Sequence, residues 1–233
     1  MKIFILAGGE GTRLRPYTYS KPKPMLEIKG IPILGHVIEN IKRSGMTDIV
    51  MTVGYKHEQI ILYFGDGKKF GVKIEYLIEK EKMNTAGSII GHKNRIKDTF
   101  AVVMGDHITD IDLSDMLKHH KKNKAMTTIA LYKNKIALEY GIADVKKGRV
   151  VGFSEKPVIE HLYNTAIYIF EPEIFDYIKE KDDFAKDVIP RLLAKKKNIQ
   201  AYIFEGTWHD VGRVEDYEKF AGISSKGNKD RLN

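Results

Sequence analysis

The chain has 233 residues, enough for one large α/β domain with a full core or for two small domains. With 42% hydrophobic and 30% charged residues it reads as a globular protein, and no apolar run approaches the roughly 18 residues of a membrane span. Cysteine is absent, which excludes disulfides and thiolate metal sites and fits a cytoplasmic setting. The net charge of +8 suits phosphate-bearing partners. The lysines are dispersed, and no aromatic-basic or zinc-finger pattern accompanies them, so neither nucleic acid nor membrane is expected as a partner.

The first strand is the apolar run Ile3-Phe4-Ile5-Leu6, too short for a secretory signal. It runs straight into Gly8, Gly9 and Gly11, whose backbone can take positive φ and present its N–H groups to an anionic phosphate. Arg13, Arg15, Lys21 and Lys23 follow. Pro16, Pro22 and Pro24 stiffen this segment and are expected to keep its cations extended. No P-loop is present. Gly9-Glu10-Gly11 begins a dinucleotide fingerprint, but the last position is Leu14 and the pattern fails.

Further along, helical spacing covers 33–43 and ends at Ser44-Gly45. A strand at 49–53, a helix at 56–64 and a strand at 73–78 follow. Next come a helix at 86–94 with Thr85 available as its cap, a strand at 100–104 and a helix at 113–122 begun by Asp112 or Ser114. Strands alternating with helices argue for a parallel sheet. The pattern then changes. Strands at 126–132, 142–146 and 149–154 leave no room for crossover helices and read as antiparallel or mixed pieces. A strand at 165–170 precedes helices at 171–179 and 184–196, the latter kinked at Pro190. A strand at 202–204 and a helix at 213–221 complete the pattern, and the polar end, 224–233, is expected to be disordered. The expected fold is α/β, doubly wound and Rossmann-like. Its mixed sheet is mostly parallel, with helices on both faces and an antiparallel lid region. One domain is expected over 1–223, with a nucleotide-binding half at 1–125 and a sugar-phosphate-binding half at 126–223.

In open α/β sheets, ligands collect at the carboxyl ends of the strands. The glycine loop and Gly105-Asp106-His107 both emerge there. A carboxylate such as Asp106 beside a phosphate loop is placed to hold Mg²⁺, a hard cation that prefers oxygen ligands. Asp210, in Trp208-His209-Asp210-Val211-Gly212, also sits in a turn between a strand and a helix. Arg13 offers a planar donor fork for phosphates, and Lys23 a point charge. His107 and His209 flank the two aspartates, but histidines so placed are more often neighbours than ligands, and neither is assigned.

The run Gly8-Gly9-Glu10-Gly11-Thr12-Arg13-Leu14-Arg15-Pro16, followed by Pro22-Lys23-Pro24-Met25, strongly resembles the signature of the sugar-1-phosphate nucleotidyltransferases. These are also called nucleotide-sugar pyrophosphorylases. The resemblance extends over roughly residues 1–220 through successive motifs in the family's order. It implies Asp106 and Asp210 as ligands of Mg²⁺, Arg13 holding the triphosphate and Lys23 stabilising the transition state. Leu6, Ala7, Gly8, Gly9, Gly11, Thr12 and Arg13 would bind the nucleotide, together with Glu79, Thr85, Ala86 and Gly87. Glu79 stands where thymidylyl and uridylyl members tend to carry Gln. A carboxylate can accept from guanine N1–H and its amino group, which tilts the base toward guanine. Gly141, Glu155, Lys156 and Asn164, in Tyr140-Gly141, Glu155-Lys156-Pro157 and Asn164-Thr165-Ala166, would bind the sugar phosphate. Ala166 replaces a family Gly.

The implied reaction joins a nucleoside triphosphate to a hexose 1-phosphate and releases pyrophosphate. Within the family this is the work of a mannose-1-phosphate guanylyltransferase or a glucose-1-phosphate uridylyl- or thymidylyltransferase. The resemblance is to a short form without the C-terminal β-helix domain of many members. The alternative is a non-catalytic nucleotide-sugar-binding regulatory protein on the same fold. Retention of Arg13, Lys23 and both aspartates disfavours it. The failed fingerprint disfavours a dinucleotide-dependent oxidoreductase. A homo-oligomer is left open.

Overall fold

In chain order the strands are β1 (Lys2–Ala7), β2 (Glu27–Ile28), β3 (Ile31–Pro32), β4 (Asp48–Val53), β5 (Lys73–Ile78), β6 (Phe100–Met104) and β7 (His107–Thr109). They continue as β8 (Thr127–Ala137), β9 (Ile142–Lys146), β10 (Arg149–Ser154), β11 (Val158–Phe170), β12 (Ile199–Phe204) and β13 (Trp208–Asp210). The helices are α1 (Ile33–Arg43), α2 (His57–Phe64), α3 (Asn84–Gly87), α4 (Leu113–Lys122), α5 (Ile189–Ala194) and α6 (Val214–Ala221). The structure, a computed structural model, describes residues 1–223. The expected disordered tail, 224–233, lies outside the described residues.

Seven strands form one sheet in the order β12-β8-β11-β6-β1-β4-β5. The strands β6, β1, β4 and β5 pair in parallel, as the helix-strand alternation predicts, and β12 runs parallel to β8. Only β11 runs against its neighbours in this sheet. The expected mixed, mostly parallel fold class therefore holds. Parallel strands need cover on both faces, and alternation along β1 supplies it. Ile3 and Ile5 join a cluster with Ile38 and Ile41 of α1, Ile60 and Phe64 of α2, and Met116 of α4. Phe4 and Leu6 point the other way, into a cluster with Phe170, Phe175, Phe184 and Leu192.

The cationic segment after the glycine loop does not stay extended as the prolines suggest. It folds into three short 3-10 turns, Thr12–Leu14, Tyr17–Tyr19 and Lys23–Met25. Leu14, Leu26, Ile28 and Ile33 bury against Val211 and Tyr217, and this small core draws the segment inward. Tyr17 packs edge-on against Tyr217 at 5.0 Å, and its hydroxyl donates to Glu218 Oε1 at 2.8 Å. The last helix thus pins the loop near the start of the chain.

Other departures have local causes. The helix expected at 86–94 is only α3 followed by a 3-10 turn, Ile90–Arg95. Thr85 does not cap it. Its hydroxyl donates to Asp183 Oδ2 at 2.9 Å, while Ala86 N and Gly87 N donate to Asp182 O at 3.0 and 3.1 Å. Bonds to the 182–184 turn replace the helix's own ladder. Residues 172–177 form a 3-10 turn, not a longer helix. The expected helix at 184–196 is a π-turn, Phe184–Val188, leading into α5, with Pro190 in its first turn, where a missing N–H costs little. The strands β8 and β11 outrun the sheet, because their outer halves pair with each other from Tyr132↔Tyr163 to Ala137↔Val158. The strands β9 and β10 pair only with each other. The short strands β7 and β13 are absent from the sequence reading.

Asp182 anchors the turn that holds Thr85 to Gly87. Its carboxylate accepts from Arg191 Nη1 at 2.6 Å and from Lys179 N at 2.8 Å. The Arg191 guanidinium outweighs the opposing effect of burial and holds this carboxyl below its usual range. A depressed carboxylate adds stability above its unfolded pKa and loses it as pH falls through the lower folded value. Asp182→Asn is expected to cost about 1–2 kcal/mol at pH 7, a charge-assisted hydrogen bond lost at a largely buried site. Chemical denaturation should show the gap to wild type closing below about pH 4.

Candidate active site

At the carboxyl end of β1 the chain turns through Gly8 to Gly11. Gly11 has φ +63°, and a Cβ there would lie 2.9 Å from Lys23 Cβ and 3.0 Å from Thr18 Cγ2. Only glycine meets both demands, a left-handed backbone and a side chain packed across it. Thr18 Oγ1 closes the turn by donating to Gly11 O at 2.9 Å. Lys23, flanked by two prolines and 7% exposed, is thereby laid over the loop.

Its ammonium ends between two carboxylates distant in sequence. Lys23 Nζ is 2.5 Å from Asp106 Oδ2 and 3.4 Å from Asp210 Oδ1. Asp106 follows β6, the sheet neighbour of β1. A side chain at Gly105 would press on Ala7 Cβ at 3.0 Å and Leu6 O at 3.1 Å, so glycine there lets the two strand ends close. Asp210 arrives by β13, which pairs antiparallel with β7 and sets Asp210 directly opposite His107.

A cleft of about 230 Å³ opens over this cluster. Of the residues predicted from sequence, Leu6, Ala7, Gly9, Gly11, Thr12, Arg13, Lys23 and Asp106 line it. Gly212 lines it as well, close to the Asp210 carboxylate. Gly8 sits against Glu79, where a Cβ would meet Glu79 Oε2 at 3.0 Å. Burial pushes the Glu79 carboxyl up. Ala86 and Gly87 are buried. The room beside Gly87 is taken by backbone, since a Cβ there would come within 2.8 Å of Lys181 N.

Of the four residues expected at the sugar phosphate, Gly141 and Glu155 are brought together. A Cβ on Gly141 would lie 2.7 Å from Glu155 Oε2 and 2.6 Å from Phe153 Cζ. Lys156 is exposed beside them. Asn164 lies at the bulge in β11, where its Oδ1 accepts from Ala166 N at 3.0 Å and its Nδ2 donates to Tyr168 OH at 3.0 Å. The neighbouring Thr165 O accepts from His107 Nδ1 at 3.1 Å, which joins this bulge to the aspartate cluster. Ala166 has φ +55°, the left-handed region that explains a family preference for Gly. Ala166→Gly is expected to raise stability by about 0.5–1 kcal/mol, the strain relieved less the entropy gained by the unfolded chain. Thermal unfolding checks it.

Burial alone would push the Asp106 carboxyl up. The His107 and Lys23 charges outweigh that and hold it below the usual range. Asp106 Oδ1 is buried and accepts no hydrogen bond. Asp106, His107 and Asp210 each offer a ligand atom within 4.8 Å of one another. A buried carboxylate oxygen left unpaired, with a second carboxylate beside it, is a donor set that fits a hard divalent cation. The sequence reading left His107 unassigned as a mere neighbour of the aspartates, and its pairing with Asp210 is visible only in the short ribbon.

The sequence model of the nucleotidyl transferase family matches residues 2–224. A UTP–glucose-1-phosphate uridylyltransferase of Synechocystis sp. is 34% identical over 97% of this chain and 64% of its own length. A mannose-1-phosphate guanylyltransferase of Mycobacterium tuberculosis is 34% identical over 91% of this chain and 61% of its own. The chain thus spans a little under two thirds of these curated relatives. HddC from Yersinia pseudotuberculosis, in a crystal structure with GMP-PN, superposes with a TM-score of 0.76 at 25% identity, covering 95% of this chain and 98% of that one. No described helix is long and apolar enough to cross a membrane. With the glycine loop, Lys23 and two aspartates gathered at one sheet edge, and a family match running almost end to end, this chain belongs to the nucleotidyl transferase family.

Proposed function

We propose that the chain transfers a nucleotidyl group from a nucleoside triphosphate to a hexose 1-phosphate, releasing pyrophosphate. The observation that carries this reading is the Lys23 ammonium, within 3.4 Å of both Asp106 and Asp210, in the cleft that the glycine loop and Arg13 line. Loop N–H groups and the Arg13 fork would hold the triphosphate. A phosphate oxygen of the sugar attacks the α-phosphorus, and the bond from that phosphorus to the pyrophosphate oxygen breaks. The attacking oxygen is already anionic, so no general base is required. Lys23 would exchange carboxylate for α-phosphate oxygens as the nucleotide enters and oppose the charge that builds there. Asp106 and Asp210 would hold Mg²⁺, which when bound neutralises phosphate charge.

The nucleotide would run from Leu6, Ala7, Gly8, Gly9, Gly11 and Thr12 toward Glu79, with Thr85, Ala86 and Gly87 shaping the base end. The sugar phosphate would meet Gly141, Glu155, Lys156 and Asn164. A carboxylate at Glu79 favours guanine, and the similarity to a mannose-1-phosphate guanylyltransferase agrees. The similarity to a uridylyltransferase keeps UTP with glucose 1-phosphate as the second reading.

A panel of GTP, UTP, dTTP and ATP against mannose, glucose, N-acetylglucosamine and heptose 1-phosphates tests this. Pyrophosphate release that needs both substrates is expected, fastest with GTP. Nucleotide-sugar binding without release would favour a regulatory protein on the same fold. Release with UTP alone would move the assignment to the second reading.

A further inference from the structure

His107 belongs to no part of the reading above, yet it faces the centre of it. Its Nε2 lies 3.6 Å from Asp106 Oδ1 and 3.6 Å from Asp210 Oδ1. Its Nδ1 is directed at the carbonyl of Thr165, 3.1 Å away. A carbonyl only accepts, so Nδ1 carries a proton, and a cation that takes the place of any Nε2 proton meets that nitrogen's lone pair beside the carboxylates. An imidazole oriented by a backbone carbonyl is the arrangement found behind histidine metal ligands.

The support is rigid. Thr165 is fully buried, and its hydroxyl is fixed on Ala130 O at 2.8 Å. Trp208 stands edge-on to the His107 ring at 5.5 Å. The β7/β13 pairing sets His107 across from Asp210. Metal bonds of about 2.1 Å place neighbouring ligand atoms about 3.0–3.4 Å apart in octahedral or tetrahedral sites, close to the two 3.6 Å spacings. The carboxylate oxygen that accepts no hydrogen bond, Asp106 Oδ1, is one of the two that His107 faces.

We infer that His107 Nε2 is a third protein ligand of the divalent cation and biases the centre toward Mn²⁺ or Co²⁺ over Mg²⁺. Magnesium favours oxygen ligands and retains its waters, whereas a borderline nitrogen donor adds affinity for first-row transition ions. This rests on the reading that Asp106 and Asp210 bind a cation. It goes beyond that reading by naming a ligand and the metal class it selects.

The test uses the full chain with Mn²⁺ alone. Pulsed electron paramagnetic resonance should show nitrogen coupling from a coordinated imidazole in the wild type, and no such coupling in His107→Asn. The ratio of Mn²⁺ to Mg²⁺ affinity should fall about tenfold in that variant, a change that mere loss of packing would not produce. Bound Mn²⁺ without nitrogen coupling, or an unchanged affinity ratio, would overturn the ligand assignment and leave the two-aspartate reading standing. Wild type that binds no Mn²⁺, or Asp210→Asn that binds it as tightly as wild type, would overturn both. The wild-type spectrum decides even if the variant folds poorly.

Discussion

Asp210→Asn is expected to lower kcat by about a thousandfold or more, a loss of some 4 kcal/mol of transition-state stabilisation. Its thermal unfolding should move by no more than a degree or two. The side chain is 37% exposed, so the loss expected is of charge at the proposed cation site, not of packing. Amide oxygen still coordinates, but without the negative charge that fixes Mg²⁺ against phosphate. Steady-state kinetics beside a melting curve separate the two effects. Normal turnover in this variant would remove Asp210 from the centre.

The second large effect belongs to Lys23. Lys23→Met keeps the stem that packs across Gly11 and removes the ammonium. We expect kcat to fall by about 10²–10³, with the KM for triphosphate changing far less, the pattern of a group that acts mainly on charge developing in the transition state. Removing it should also tighten binding of Mn²⁺ without nucleotide by about tenfold, roughly 1.4 kcal/mol, because a resident cation no longer occupies the same carboxylates. A variant that lost triphosphate affinity and turnover in equal measure would make Lys23 a binding group only.

Much of this was legible in the sequence because its signals are local. Apolar runs at Ile3 to Leu6 and Phe100 to Met104 mark buried parallel strands whatever else surrounds them. Gly11 was readable as a loop glycine, although the reason for it, Lys23 lying across it, needed coordinates. The π-turn and the 3-10 turns were missed because their cause is remote: Thr85 bonds the 182–184 turn instead of capping its own helix. The ribbon pairing His107 with Asp210 was missed for the same reason. Two three-residue strands about a hundred positions apart carry no periodicity, and only their pairing reveals that a histidine faces both aspartates. The segment read as an extended arm is folded inward at Leu14, Lys23 and Leu26, because Leu14 and Leu26 find Val211 and Tyr217 at the far end of the chain, while Arg13, Arg15 and Lys21 stay exposed.

The most direct measurement is a crystal structure of the chain with Mg²⁺ and a non-hydrolysable nucleoside triphosphate. One cation should bridge Asp106, Asp210 and phosphate oxygens, with Lys23 moved onto the α-phosphate and Arg13 on the outer phosphates. A triphosphate bound away from the glycine loop, or a cation bound without either aspartate, would contradict the assignment of this centre.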